Sequence, residues 1–312
     1  MTGMPGRVDS KHAARLMRLA SYASIGVSLL LIATKLGAWL LTGSVSVLSS
    51  LLDSLLDSAA SVVNLLAIRT AVSPADQEHR FGHGKAEPLA SLGQSAFIAG
   101  SAVLLLVEGG HRLFSPEPVE HSRIGIAAIG FSMAATLLLI PFQKFVVRRT
   151  GSLAIGADEL HYRGDLLLNG GVILALVLTE LFGWPFLDSI FGAAIAVWIV
   201  YSAWQIARRA LTQLMDREMP DDDRQRIRTI ALAHPEVSAV HDLRTRLAGP
   251  SAFVQIHIEM SADMTLRRAH EVADTVEASI IEAFPYAEVI IHQDPAGIPE
   301  VRRTFAPARR KA

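Results

Sequence analysis

The chain has 312 residues, of which 51% are hydrophobic and 19% are charged, and its formal net charge is −1. This composition is too apolar for an ordinary soluble protein and favours the membrane class, and the near-neutral charge gives no reason to expect a nucleic acid as a partner. The chain has no cysteine. Disulfides and thiolate metal sites are therefore excluded, and a bound metal would need His, Asp or Glu ligands.

Six long apolar runs occupy the first two thirds of the chain, and each is long enough to cross a bilayer as a helix. They cover residues 19–41, 45–68, 89–113, 124–147, 160–182 and 186–206. Basic residues lie before the first run and after the even-numbered runs, which places both termini in the cytoplasm by the positive-inside rule. We therefore predict a cytoplasmic segment over residues 1–18 and a six-helix transmembrane domain over residues 19–209.

Lys35 is a charged residue inside the first apolar run. A lysine at such a position either pairs with a neighbouring carboxylate or extends its ammonium group towards a membrane interface. We expect the second arrangement for Lys35.

Asp53 and Asp57 lie inside the second apolar run. A carboxylate near the middle of a bilayer costs about 2.5–3.5 kcal/mol on insertion scales, so two of them require a specific reason. The i, i+4 spacing places both side chains on one helical face, where they repel each other unless a proton or a cation lies between them. The alternative is a pair of protonated, hydrogen-bonded carboxyls, or a helix that does not span the membrane.

A second pair with the same spacing, His161 and Asp165, lies at the start of the fifth run. Four ligands of this kind from two helices would form a tetrahedral site of the type that Zn²⁺ prefers. The repetition favours a metal site over protonated carboxyls. We therefore predict that one cation is bound by Asp53, Asp57, His161 and Asp165.

The loop after the second run carries three further ligand types within eight positions, Asp76, His79 and His83. Gly82 and Gly84 would let this loop fold around one ion, with water completing the coordination. The spacing fits a solvated loop with incidental histidines equally well, so both interpretations stay open.

After Asp216 the chain changes from apolar runs to the pattern of a small α+β domain. A helix begins with an N-cap-like signal at residues 220–223 and ends near residue 233. Two strands follow at 241–247 and 253–260 around the turn 248–250, then a helix at 266–284 and a strand at 289–292. We predict a cytoplasmic, metallochaperone-like αββαβ domain over residues 210–299 and a basic disordered tail over residues 300–312.

This predicted domain is rich in histidine. The candidate metal ligands in it are His241, His257, His270, His292, Gln293 and Asp294. Alternation along the second strand places His257 on the polar face, and four histidines within about 50 positions favour a metal site over incidental surface residues. With Asp294 as a bridging carboxylate, two metals could be bound. Whether ligands are shared across a dimer stays open.

Several longer phrases carry a family resemblance over essentially the whole chain. They are the two i, i+4 pairs together with FGHGKAE at residues 81–87, HDLRTR at 241–246 and IIHQDP at 290–295. In these phrases, in the number of spans and in the C-terminal α+β domain, the sequence resembles the cation diffusion facilitator family. The resemblance is to bacterial exporters of zinc and ferrous iron.

The resemblance implies a homodimeric antiporter of a divalent cation and protons in the bacterial inner membrane. Asp53, Asp57, His161 and Asp165 would form the transport site, Asp76, His79 and His83 a loop site, and the histidine-rich set a cytoplasmic binuclear site. Lys85 and Asp216 match the family's charge interlock between the spans and the soluble domain, and Leu160 matches an apolar gate. The Asp-Asp and His-Asp pairs resemble those of the group that handles Zn²⁺, Cd²⁺ and Fe²⁺, with Zn²⁺ the first choice and Fe²⁺, Cd²⁺ or Co²⁺ the alternatives. Bound Zn²⁺ would also have a structural or regulatory role.

The expected mechanism is alternating access, in which protons and metal compete for the same deprotonated ligands. No P-loop motif occurs that would indicate ATP use, and no H-E-x-x-H motif occurs that would indicate an intramembrane metallohydrolase. A passive channel or a metal sensor is the other alternative. A channel would conduct metal regardless of pH, whereas an exchanger must move protons in the opposite direction.

Overall fold

The computed structural model describes residues 8–43, 45–114, 123–182 and 187–298. The chain divides into a helical unit that ends at Asp216 and an α+β unit that begins at Arg217, with residues 248–250 grouped with the helical unit. Each unit has its own core, so each is described separately.

Six long helices form the helical unit. They are α1 (Ser10–Thr42), α2 (Val45–Ala71), α3 (Ala86–Phe114), α4 (Arg123–Thr150), α5 (Leu153–Phe182) and α6 (Leu187–Leu214). Within the described residues, five of them contain a segment long and apolar enough to cross a membrane, and α5 is the exception. The predicted helical transmembrane domain is confirmed.

The fifth helix differs from the prediction at its start, because α5 begins at Leu153 and not at residue 160. Its first turns carry Asp158 and Glu159, which interrupt the apolar pattern from which the span was predicted. Both carboxylates are buried inside the bundle, where neighbouring helices provide polar partners. A helical turn can therefore be polar here without facing lipid.

Hydrogen bonds between buried groups attach the first half of α5 to its neighbours. The Gln143 side chain of α4 donates to Asp158 at 2.6 Å, and the Tyr162 hydroxyl donates to the Ser24 carbonyl of α1 at 3.2 Å. Asn64 of α2 donates its amide to the Ala154 carbonyl at 3.2 Å. Because an unsatisfied buried polar group is costly, these contacts fix how α5 is turned towards α1, α2 and α4.

On its other side, α5 packs closely against α6. A Cβ atom added at Gly171 would lie 2.8 Å from the Cδ1 atom of Ile195, so a larger residue here would require the end of the Ile195 side chain to move. Leu160 is 4% exposed and lies in an apolar cluster with Ile98 of α3 and Ile199 of α6. These contacts hold the segment that carries His161 and Asp165.

The α+β unit has the predicted order of elements. It contains α7 (Asp221–Leu232), β1 (Ala239–Ala248), β2 (Ser251–Met260), α8 (Leu266–Ala283) and β3 (Ala287–Pro295). The strand order is β1-β2-β3, and the two-residue connection between β1 and β2 is that of an antiparallel hairpin. Strands β2 and β3 are parallel, with His257 opposite His292 and Glu259 opposite Asp294.

The two faces of β2 have different neighbours. Val254, Ile256 and Ile258 are buried in one core with Val276 of α8 and Ile227 of α7. Alternate residues of a strand point to opposite faces, so His257 and Glu259 lie on the face that the helices leave uncovered. The alternation predicted from the sequence is confirmed, and it places the polar residues of β2 and β3 side by side.

Candidate metal-binding sites

Three groups of His and Asp residues in the described part of the chain have ligand atoms within 4.8 Å of one another. The helix cluster is Asp57, His161 and Asp165, the loop cluster is Asp76, His79 and His83, and the sheet cluster is His241, His257 and Asp294.

The helix cluster joins α2 to α5. The Nε2 atom of His161 lies 3.1 Å from Oδ1 of Asp57 and 3.6 Å from Oδ2 of Asp165. Zinc–ligand bonds of about 2.0–2.2 Å separate neighbouring tetrahedral ligands by roughly 3.3–3.6 Å, so this spacing suits a cation between the three atoms. The His161 side chain is 13% exposed, which limits competition from water.

Asp53, the fourth predicted ligand, is outside the helix cluster but faces the same space. It lines a cavity of about 170 Å³ together with Asp57 and Asp165. The structure therefore brings three of the four predicted ligands together and places the fourth on the wall of the adjoining cavity.

The remaining wall of this cavity is mostly hydroxyl and amide groups. Its polar lining comes from Ser28, Lys35, Ser50, Ser54, Ser132, Thr136, Tyr162 and Asn169. A cavity of this size and polarity can hold several waters, each with protein partners. An ion at the helix cluster would have a hydrated path on this side.

Lys35 does not extend to a membrane interface, so that expectation is wrong. Its Nζ atom donates to Oγ of Ser54 at 2.6 Å and to the carbonyl of Ser50 at 3.1 Å. The polar cavity supplies acceptors inside the bundle, so the ammonium group does not need to reach the interface. Its only signal in the sequence is its position within an apolar helix.

The loop cluster is organised around Asp76. Its Oδ1 atom accepts hydrogen bonds from the backbone N–H groups of Glu78 and His79 at 2.9 and 2.7 Å. The backbone hydrogen bond from His79 is the main reason that the pKa of Asp76 lies below its usual value, with smaller contributions from Glu78 and the two histidines. The carboxylate is therefore ionised and ready to bind a cation at neutral pH.

The two histidines of this loop converge on the same carboxylate. His79 Nδ1 lies 3.4 Å from Oδ1 of Asp76, and His83 Nε2 lies 3.3 Å from Oδ2. The Ser73 hydroxyl lies 3.0 Å from Nδ1 of His83, which orients the imidazole with Nε2 towards Asp76. Gly82 lies between His79 and His83 and has a φ of 75°, a left-handed conformation that lets the backbone turn there. The three residues of the loop cluster could therefore hold one metal ion.

The sheet cluster draws one ligand from each strand. Oδ2 of Asp294 lies 2.8 Å from Nδ1 of His257 and 3.1 Å from Nε2 of His241. Oδ1 of Asp294 lies 3.1 Å from Nε2 of His292. Asp294 is 4% exposed, and its two oxygens face different histidines, as a carboxylate that bridges two ions requires.

Two predicted ligands are not brought to the sheet cluster within one chain. His270 is exposed on α8, where its Nδ1 atom lies 3.5 Å from Asp274. Gln293 pairs with Ile258, whose side chain is buried in the core, so strand alternation directs Gln293 to the face opposite Asp294.

Two carboxylates beside the sheet cluster were not among the predicted site residues. Oε1 of Glu259 lies 3.2 Å from Nδ1 of His241, and Oδ2 of Asp242 lies 3.9 Å from Nε2 of His257. Hydrogen bonds from Arg244 lower the pKa of Asp242. The sequence signal for Glu259 is its place two residues after His257, on the same strand face.

Lys85 and Asp216 form an ion pair within the helical unit, with Nζ 3.0 Å from Oδ1. Asp216 has a φ of 53°, and Lys85 also donates to the Leu214 carbonyl at 3.4 Å. The pair therefore fixes the chain where α6 ends.

A bundle of membrane-spanning helices that holds His and Asp side chains beside a small polar cavity is typical of multi-pass metal-cation transporters. Residues 21–215 match the family profile described as the cation efflux transmembrane domain, and residues 219–296 match the cation efflux protein cytoplasmic domain. The chain belongs to the cation efflux family, as the resemblance to cation diffusion facilitators predicts. It is accordingly a cation-efflux transporter of several membrane spans and not an enzyme.

Similar proteins include two named cation-efflux pump FieF. That of Shewanella oneidensis is 48% identical over 282 residues, which cover 90% of this chain and 95% of the relative. That of Escherichia fergusonii is 47% identical over 284 residues, covering 91% and 94%. A solved structure of the metal-bound C-terminal domain of the CzcD transporter from Thermotoga maritima is 28% identical, covers 25% of this chain and 93% of that chain, and has a TM-score of 0.25.

Proposed function

We propose that this protein exports a divalent metal cation from the cytoplasm in exchange for protons, across the inner membrane of a bacterium. Zn²⁺ is the first choice of substrate, and Fe²⁺, Cd²⁺ or Co²⁺ is the alternative. The observation that supports this most directly is the position of His161 between Asp57 and Asp165 on two different helices. The two relatives are named as cation-efflux pumps, which supports export as the direction.

The ligand chemistry supports proton exchange. Imidazole and carboxylate bind metal only when deprotonated, so a proton and a cation compete for each ligand of the helix cluster. Borderline nitrogen and oxygen ligands accept several divalent ions, and affinity alone does not select one of them.

The position of the cavity supports release towards the exterior. Lys35 of α1 and Ser50 of α2 line the cavity. Lys35 lies near the end of α1 at Thr42, and Ser50 lies nearer than Asp57 to the start of α2 at Val45, so the cavity extends towards these two helix ends. On α5 its lining runs from Tyr162 towards Asn169, while Leu160 is packed in the core. With the start of α1 in the cytoplasm, as we predict, this conformation opens the helix cluster to the outside, and Leu160 closes the cytoplasmic side.

In this proposal the other two clusters bind ions that stabilise or regulate a homodimer. Asp76 and the histidines of the loop cluster fit one ion, while Asp294 and its histidines fit a binuclear site to which His270 and Gln293 remain proposed contributors. The Lys85–Asp216 ion pair would link movements of the helices to those of the cytoplasmic domain. The chemistry of these donors suits Zn²⁺, which is bound by His and Asp in tetrahedral geometry.

The proposal is tested by following protons and metal together in proteoliposomes that contain the full chain. Entry of Zn²⁺ should move protons in the opposite direction, and Asp57→Ala should abolish both movements. Asp263→Ala, an exposed carboxylate in the turn before α8, is the matched control and should behave as the native protein. Metal flux without proton movement would indicate a channel, and normal transport by Asp57→Ala would contradict the assignment of the helix cluster.

A further inference from the structure

Lys35 is a cation directed into the cavity from which the proposed transport site is reached. It lies about two turns before the end of α1 at Thr42, and its side chain is half-buried. Both of its hydrogen bonds are to α2, at the carbonyl of Ser50 and the hydroxyl of Ser54. Ser54 lies within one helical turn of both Asp53 and Asp57, so its hydrogen bond holds the ammonium group near these two positions of α2.

Three carboxylates line the same cavity, those of Asp53, Asp57 and Asp165. Within the described residues, Lys35 forms its hydrogen bonds with serine groups and no ion pair with any of these carboxylates. The charge of Lys35 therefore acts on the cavity as a whole and does not neutralise a single partner. In a small cavity between packed helices, charges interact more strongly than they do in bulk water.

We propose that Lys35 is the internal counter-cation of the transport site, and that it tunes how tightly the site binds a divalent ion. When the site holds no metal, its positive charge offsets the carboxylates that line the cavity. When a divalent cation is bound, the ammonium group repels it and favours its departure into the cavity. This inference depends on the proposed function, since it assigns a role in metal release at the same site.

A purely structural role makes a different prediction. If Lys35 only joined α1 to α2, a neutral hydrogen-bond donor at this position would preserve metal binding, and loss of the link would weaken binding. If the charge matters, a neutral residue should tighten binding, whether or not it donates hydrogen bonds. Lys35→Gln, Lys35→Met and Lys35→Arg separate the charge from the hydrogen bonds.

The test uses the full chain with the loop and sheet clusters disabled by His83→Ala and His241→Ala, so that binding reports the helix cluster. The dissociation constant for Zn²⁺ is measured by calorimetry at neutral pH, and the turnover number is measured in proteoliposomes. We expect Lys35→Gln and Lys35→Met to bind Zn²⁺ on the order of tenfold more tightly, with slower turnover at saturating Zn²⁺. Lys35→Arg, which keeps the charge, should restore both quantities towards native values.

Lys144→Gln is the matched control, because it removes a lysine of α4 that lies outside the cavity and 3.8 Å from Glu159. It should leave the dissociation constant unchanged. Unchanged or weaker Zn²⁺ binding by folded Lys35→Gln, or an arginine variant that behaves like the glutamine variant, would overturn the role of Lys35. If Asp57→Ala retains Zn²⁺ binding in the same background, the transport site itself is wrongly assigned, which is a separate failure.

Discussion

The helix cluster and the sheet cluster use the same ligand types on different backbones. Asp57 comes from α2, and His161 and Asp165 lie one turn apart on α5, so the helix cluster depends on how two helices approach each other. The sheet cluster takes His241, His257 and Asp294 from three hydrogen-bonded strands, whose register fixes their separation. Helices can slide or rotate as rigid bodies, whereas paired strands cannot change register without breaking their ladder.

The surroundings of the helix cluster and of the sheet cluster also differ. The helix cluster adjoins a polar cavity that also contains Lys35, whereas Asp294 of the sheet cluster is 4% exposed and Glu259 supports its neighbour His241. An ion in the helix cluster would therefore have a path out through the cavity, whereas an ion in the sheet cluster would be held by strands of fixed register. We therefore propose that the helix cluster serves exchange in the membrane and that the sheet cluster serves retention in the cytoplasmic domain.

The largest expected effect separates the two clusters by function. Asp165→Asn keeps the size of the side chain but removes the charge that an ion in the helix cluster requires. We expect Zn²⁺ affinity of that cluster to fall more than about 100-fold and transport to fall at least tenfold, while the sheet cluster binds as before. Calorimetry and proteoliposome flux measure the two quantities, with Asp263→Asn as the control. Retained transport would show that the exchanging site lies elsewhere.

The reciprocal change is made in the sheet cluster. His241→Ala removes one ligand, so we expect Zn²⁺ affinity of the cytoplasmic domain to fall by about 100-fold, with a smaller effect on the maximal transport rate. Zinc titration of the full chain checks the affinity. His12→Ala, an exposed histidine at the start of α1, is the control. If His241→Ala abolished transport as completely as Asp165→Asn, the division between exchange and retention would be wrong.

A smaller effect is expected from the carboxylate behind His241. The carboxylate of Glu259 contacts Nδ1 of His241, and this contact helps to direct Nε2 of the same ring towards Asp294. Glu259→Gln weakens the contact, so the metal affinity of the sheet cluster should fall about 10-fold. Competition with a zinc chelator measures this change, and Glu282→Gln on α8 controls for the loss of one negative charge. An affinity equal to that of the native protein would mean that the neighbouring strands alone orient His241.

The smallest effect concerns the pH dependence of the cytoplasmic domain. Hydrogen bonds from Arg268 lower the pKa of Glu236, so this contact stabilises the fold above the ordinary carboxyl pKa and is lost as the pH falls through the lowered value. The groups are exposed, so the contribution is small. Hydrogen–deuterium exchange of α8, corrected for intrinsic rates, should increase at acidic pH, and Glu236→Gln should already show part of the increase at neutral pH. Identical profiles for the two proteins would exclude the contact as a cause.

The fold was largely predictable because simple periodicities dominate it. Long apolar runs indicated the membrane helices, and the alternation in β2 indicated which face carries His257. The start of α5 was not predictable in this way, because Asp158 and Glu159 are polar yet buried, Asp158 against Gln143 of α4 and Glu159 against Arg163 of α5 itself.

The residue types of the candidate sites were predictable from the sequence, but not all of the contacts between these residues were. Spacing within α5 relates His161 to Asp165, but only the packing of α2 on α5 shows that Asp57 contacts His161 in this conformation while Asp53 faces the cavity. Glu259 of β2 contacts His241 on the neighbouring strand β1. The sequence does not show whether Lys35 extends along α1 or towards α2, where it donates to Ser54. Each of these contacts depends on tertiary structure; alternation along β2 places Glu259 on the face of His257 but does not show that it contacts His241 of β1.

The central claim is that Asp57, His161 and Asp165 hold the transported cation, and zinc X-ray absorption spectroscopy tests it most directly. The full chain with His83→Ala and His241→Ala is loaded with one equivalent of Zn²⁺. We predict a four-coordinate shell of nitrogen and oxygen at about 2.0–2.1 Å that includes one imidazole, and loss of that shell in the additional variant Asp57→Ala. A shell of oxygen ligands without imidazole, or one that Asp57→Ala leaves unchanged, would contradict the claim.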